Sequence, residues 1–63
     1  MEWLKQKRLN KRYTQKEVAE KVQIMRASYT QIENGTRRPS VETAKKIARL
    51  LDFDWTRFFD GIG

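Results

Sequence analysis

The sequence predicts an all-α fold, a compact bundle of five short helices around one core. Three observations predict it. The span from Thr14 to Pro39 reads as two amphipathic helices joined by a tight turn, and everything else supports that unit. Ser40 opens a further run, VETAKKIARLL, with apolar residues at helical spacing. A chain of 63 residues has room for one domain only, since compact domains need at least about 50 residues and divide only well above about 200. Residues 1–63 are read as a single domain without repeats, low-complexity segments or internal linkers.

Residues 2–12 form a loosely amphipathic first helix, with Trp3, Leu4 and Leu9 among Lys5, Lys7, Arg8, Lys11 and Arg12. Its basic face suits either solvation or a phosphate-bearing partner. Leu9 does not complete the stripe set by Trp3 and Leu4. Thr14 and Glu17 then make a capping box, with Tyr13 and Val18 spaced as a hydrophobic staple. The second helix therefore starts at Gln15 and runs to about Lys21, burying Val18, Ala19 and Val22.

The third helix runs from Met25 or Arg26 to Glu33. Advancing about 100° per residue puts Met25, Tyr29 and Ile32 in one apolar arc. Ala27, Thr30, Gln31 and Asn34 lie opposite, flanked by Arg26 and Ser28. A solvated face usually carries Lys and Glu. This one carries a small residue, hydroxyls, amides and an Arg, which suits contact with something polar or, more simply, a crowded turn. Asn34-Gly35 closes the helix, because Gly adopts the left-handed conformation needed there. Thr36, Arg37 and Arg38 make a short basic loop that Pro39 stiffens.

Ser40 caps the fourth helix, whose Val41, Ala44, Ile47, Ala48 and Leu51 face the core, with Lys45, Lys46 and Arg49 outward. Asp54 caps a last short helix, Trp55 to Phe59, with Phe53 and Phe58 as a second staple and Gly61 ending it. Trp55, Phe58, Phe59 and Ile62 give more apolar surface than two turns usually bury. They serve self-association, or they close the core from beneath.

Fourteen Lys and Arg against eight Asp and Glu give a formal charge of +6 and a pI near 10.1. Such a balance points to a polyanionic partner, nucleic acid ahead of an anionic membrane surface. No run of about 18 apolar residues exists to span a membrane, and the N-terminal residues lack a signal-peptide core, so a cytosolic protein is expected. Histidine and cysteine are both absent. That removes the commonest general base, the best nucleophile and the usual zinc ligands. With acids scattered along helices and little room for a cleft, no catalytic or metal-binding set is read, no cofactor is implied, and an enzyme is not expected.

The capping box, the spacing of Ala19, Ile24 and Ile32, and the closing Glu33-Asn34-Gly35 together resemble the Cro/CI-type, or XRE-like, helix-turn-helix family. The resemblance covers nearly the whole chain and implies a lambda-repressor-like domain. In that family the helix starting near Gln15 rests across the DNA backbone, and the helix starting near Arg26 enters the major groove. The resemblance therefore implies base reading by Arg26, Ala27 and Gln31 with Ser28 and Thr30 flanking. It implies phosphate contacts at Gln15 and Asn34, where Gln15 also holds the recognition helix. The basic loop of Thr36, Arg37 and Arg38 would add phosphate affinity independent of sequence.

Double-stranded DNA is the implied partner, bound by a homodimer with Trp55, Phe58, Phe59 and Ile62 at its interface. The implied role is a transcriptional regulator, in particular a repressor, acting in a bacterial or phage-encoded, nucleoid-associated setting. An antitoxin-like module with a protein partner, an RNA-binding protein and a carboxylate enzyme are the alternatives, since fold does not fix function. Three residues depart from the family pattern. Gln23 stands where Gly is common in the turn, Met25 where Ser or Thr usually caps the recognition helix, and Lys7 where relatives place an apolar residue.

Overall fold

The computed structural model describes residues 1–60. In chain order it contains α1 (Glu2–Asn10), α2 (Gln15–Val22), α3 (Arg26–Asn34), α4 (Val41–Leu51) and a closing 3₁₀ turn (Trp55–Phe59). The all-α class stands, with four α-helices and a 3₁₀ turn among the described residues rather than five α-helices. The last element is short, and Asp54 caps it by accepting the Thr56 amide at 3.0 Å, two residues on. Gly61, expected to end it, lies outside the described residues.

Local chemistry sets most boundaries. The Thr14 hydroxyl accepts the Glu17 amide at 3.1 Å, and the Glu17 carboxylate accepts the Thr14 amide at 2.9 Å. Both halves of the capping box are thus present. Ser40 caps α4 by accepting the Thr43 amide at 3.1 Å. The first helix is shorter than the sequence suggests, ending at Asn10. Arg12 there takes a left-handed backbone, φ 61°, which turns the chain toward α2.

α2 packs on α3 and α4, α1 packs on α3, and the closing turn packs on α4. The core they enclose combines Leu4 of α1, Val18, Ala19 and Val22 of α2, Tyr29 and Ile32 of α3, Ala44, Ile47 and Leu51 of α4, and Phe58. Each larger apolar side chain buried this way contributes roughly 1.5 to 3 kcal/mol. Val41, assigned to the core by spacing, is exposed, because it is the first residue of α4 at the helix's outer end. Leu9 is exposed too, so it does not stand in for the apolar residue missing at Lys7.

Phe58 is only 4% exposed. Its ring lies 5.5 Å from Phe53 and 5.4 Å from Trp3, between centroids. The staple is therefore formed, and the expectation that Phe58 faces a second copy of the chain is corrected: the chain's own core takes it up. Trp55 and Phe59 are half-buried and stack edge-on at 6.0 Å. Ile62 lies outside the described residues. Among those residues no helix is long and apolar enough to cross a membrane.

Candidate nucleic-acid interface

The turn between α2 and α3 aims the candidate reading helix. Gln23 adopts φ 63°, ψ 44°, the left-handed conformation that Gly takes without cost. Its amide donates to the Glu20 carbonyl at 3.2 Å, and the Ile24 amide reaches back to Ala19 at 3.0 Å. These bonds close the end of α2 despite the unsuitable residue. Met25 follows as the N-cap of α3 with no side-chain bond to a helix amide. Its extended backbone, φ −70°, ψ 145°, takes it off the helical projection, so it leaves the expected apolar arc and is 73% exposed.

A buried polar group fixes α3 from behind. Arg8 Nε and Nη2 donate to the two Glu33 carboxylate oxygens at 2.9 and 3.0 Å. Arg8 Nη1 donates to the Tyr13 carbonyl at 2.9 Å. Gln15 Nε2 then donates to Glu33 Oε1 at 3.2 Å, and Gln15 Oε1 accepts the Thr30 hydroxyl at 2.8 Å. One network thus joins α1, the start of α2 and the middle of α3. Gln15 bonds α3 at both Glu33 and Thr30, and Thr30, assigned to the outer face, is half-buried with its hydroxyl directed at Gln15.

Arg8 and Glu33 are 8% and 5% exposed. Arg8 therefore leaves the basic face proposed for the first helix. The missed signal is spacing: Arg8 lies one helical turn after the fully buried Leu4, on the same face. Glu33 likewise follows Tyr29 by one turn and adjoins Ile32. Burial alone would raise the Glu33 carboxyl, but the Arg8 and Gln15 hydrogen bonds and the Arg8 charge outweigh it and hold the group below the ordinary carboxylate range. The Arg8 guanidinium is raised by its bonds to Glu33 against the cost of burial. The Tyr29 hydroxyl lies near this pair without a partner in hydrogen-bond geometry. Burial first, then the Glu33 charge, pushes its ionisation upward.

On the opposite side of α3 lie Ala27, Gln31 and Asn34, all exposed, flanked by the exposed Arg26 and by Ser28, which is half-buried. The first turn holds no acid. Gly35, at φ 82°, ends the helix, and the Thr36 amide and hydroxyl bond the Gln31 carbonyl at 3.0 and 3.2 Å. Thr36 thus secures the loop backbone. Arg37 Nη1 lies 3.4 Å from the Ser28 hydroxyl, so the loop guanidinium sits beside the α3 face. Pro39 is buried and anchors the exit. Ion pairs among the described residues join Arg8 to Glu33 and Lys46 to Glu42 only, leaving Arg26, Arg37 and Arg38 unneutralised there. The structure therefore gathers Arg26, Ala27, Ser28, Gln31 and Arg37 on one surface and puts Gln15 at its inner edge. Trp55 and Phe59 belong to a separate region, against the closing turn.

Helices capped and packed in this way, with an exposed polar face on α3 and a buried ion pair behind it, define a small helix-turn-helix domain. The chain belongs to the XRE-like helix-turn-helix family, whose description, "Helix-turn-helix", matches residues 4–58. A protein of Bacillus subtilis (strain 168), described as "Uncharacterized HTH-type transcriptional regulator YqaF", is 60% identical over 60 residues, covering 95% of this chain and 79% of that protein. No solved structure matches the chain.

Proposed function

We propose that the protein is a sequence-specific double-stranded DNA-binding transcriptional regulator, in particular a repressor that binds two half-sites as a dimer. One observation carries the reading: α3 presents Arg26, Ala27 and Gln31 to solvent while Arg8 and Gln15 bond its Glu33 from behind. A preorganised polar helix face loses little side-chain freedom on binding. The Bacillus subtilis relative's description as a transcriptional regulator supports the same reading.

In the major groove, Arg26 donates a bidentate pair to guanine O6 and N7, Gln31 pairs with adenine N6 and N7, and the Ala27 methyl packs on a thymine methyl. Ser28 and Thr30 flank them. Each good pair gives roughly 1 to 3 kcal/mol of discrimination. Gln15, Asn34, Thr36, Arg37 and Arg38 set register on the phosphates, with affinity that salt weakens. Repression follows where the bound protein blocks polymerase or a competing regulator. Trp55 and Phe59 are the apolar side chains of the closing turn left for a dimer contact.

Selecting bound duplexes from a random DNA pool, with sedimentation of the free and bound protein, tests the reading. The expected outcome is a (pseudo)palindromic site with half-sites about one helical turn apart, occupied by two copies. Recovery of no preferred duplex overturns sequence-specific binding, and one copy on an asymmetric site overturns the dimer.

A further inference from the structure

Arg57 has no assigned role, yet its surroundings resemble a phosphate site. Its guanidinium lies over the Trp3 ring at 4.4 Å from the centroid. Stacking uses the flat face of the group and leaves its in-plane N–H donors at the edge for an oxyanion. Arg57, Arg37 and Arg38 line one cavity of about 320 Å³, with Trp3, Phe58 and Asp60 also in its wall. Asp60 is the carboxylate there, and among the described residues it forms no ion pair with any of the guanidiniums. Arg37 and Arg38 also line the adjoining cavity with Ser28, Ser40 and Thr43, beside α3 and the start of α4. Arg37 and Arg38 thus connect the α3 side of the basic loop with the closing turn.

Three guanidiniums against one carboxylate leave the cavity with an excess of positive charge, which favours an added anion. We propose that this cavity takes a phosphate of the DNA backbone, with Arg57 as a third phosphate-binding guanidinium beside Arg37 and Arg38. The inference rests on the DNA-binding reading above and extends the contact surface past α3 to the end of the fold. Trp3 acts as the platform that positions Arg57, which makes one aromatic of α1 part of the binding surface. Arg is suited to this position where Lys is not, because only a planar group both stacks and presents paired donors to a phosphate.

The test measures duplex affinity against salt for the full chain, wild type, Arg57→Gln, Arg57→Lys and Arg37→Gln. Loss of one phosphate contact lowers the log–log salt slope by about 0.9. That is about a threefold smaller loss of affinity on going from about 50 to 200 mM salt. Arg57→Gln is expected to lower the slope by that amount and to weaken all duplexes alike, leaving base preference unchanged. Arg57→Lys, which keeps the charge but loses the stacking and the paired donors, is expected to lose part of the slope, less than Arg57→Gln. Ethylation interference on wild-type complexes is expected to mark a phosphate that Arg57→Gln no longer senses, a readout that mere loosening of the fold does not move. If Arg37→Gln lowers the slope and Arg57→Gln does not, the cavity assignment is overturned while DNA binding stands. If the wild type binds no duplex, the DNA-binding reading fails and the assignment fails with it. Calorimetry with inorganic phosphate alone separates the sources: saturable binding that Arg57→Gln abolishes, with the duplex slope unchanged, assigns the cavity to a free anion and overturns the backbone site.

Discussion

Arg8 grips Glu33 through both carboxylate oxygens, Nε to Oε2 at 2.9 Å and Nη2 to Oε1 at 3.0 Å, across 25 residues of chain. The pair links the first helix to the end of the third, so the outward face of α3 depends on a contact that faces inward. Gln15 extends it to the start of α2. One buried carboxylate therefore ties all three helices together.

Breaking this pair is expected to be severe. Removing one partner of a buried ion pair costs about 3 to 5 kcal/mol, because the other charge stays buried alone. A domain of this size has only about 3 to 9 kcal/mol of stability in all. Arg8→Ala should therefore leave little folded protein at 37 °C, read by urea denaturation. Arg8→Met with Glu33→Leu removes both charges and should recover most of the loss. A double variant no more stable than the worse single variant would refute the ion-pair account.

The same pair sets an acid limit. Glu33 is held below its ordinary value in the folded chain, so folding favours its ionised form. That contribution is fully present above the unfolded value of about 4.3 and is lost as pH falls through the lower folded value. Melting temperature should hold between about pH 7 and pH 5, then drop steeply below about pH 4. Glu33→Gln should melt lower at neutral pH and show a shallower acid drop. Asp54, lowered by its hydrogen bonds with the Thr56 amide and hydroxyl, leaves a residual slope. An unchanged slope in Glu33→Gln removes this carboxylate as the cause.

How much of this was legible in the sequence follows the range of the interactions. Thr14 with Glu17, Ser40, and Phe53 with Phe58 are partners within five residues, and all form as spacing predicts. Arg8 and Glu33 are not such partners. Counting Arg8 among the basic residues of its helix hid that it shares a face with Leu4, and nothing local in the sequence names Glu33 as its mate. Met25 failed for a different reason. Helical periodicity places a residue only if its backbone is helical, and a capping residue's is extended. The exposed side of α3 was legible because Arg26, Ala27 and Gln31 lie within the helix proper. Thr30 was misplaced because its hydroxyl meets Gln15 of another helix.

The turn that aims α3 can be improved at both of its departures. Gln23 is left-handed, and a side chain there costs about 1 to 2 kcal/mol relative to Gly. Gln23→Gly should stabilise by about 1 kcal/mol, since Gly returns part of the gain as unfolded-chain entropy. Met25 caps nothing and contributes little to the core. Met25→Ser should add about 1 kcal/mol by accepting an α3 amide. On a domain this small each change should raise the melting temperature by about 4 to 8 °C. No rise in Gln23→Gly would mean that the turn is not strained.

The division between reading and positioning is testable with two arginines on one surface. Arg26 stands in the first turn of α3, whereas Arg37 sits in the loop with a guanidinium nitrogen 3.4 Å from Ser28. A base-edge contact discriminates, and a phosphate contact does not. Arg26→Ala should cost about 1 to 3 kcal/mol on the preferred duplex, much less on a duplex altered at the base pair it reads, and little in salt slope. Arg37→Ala should weaken every duplex by a similar factor and lower the slope by about 0.9. Binding constants on the selected duplex and its single-base variants, each at several salt concentrations, separate the two. Matching profiles for both variants would place Arg26 on the phosphates, and base reading would then fall to Ala27, Gln31 and their neighbours on α3.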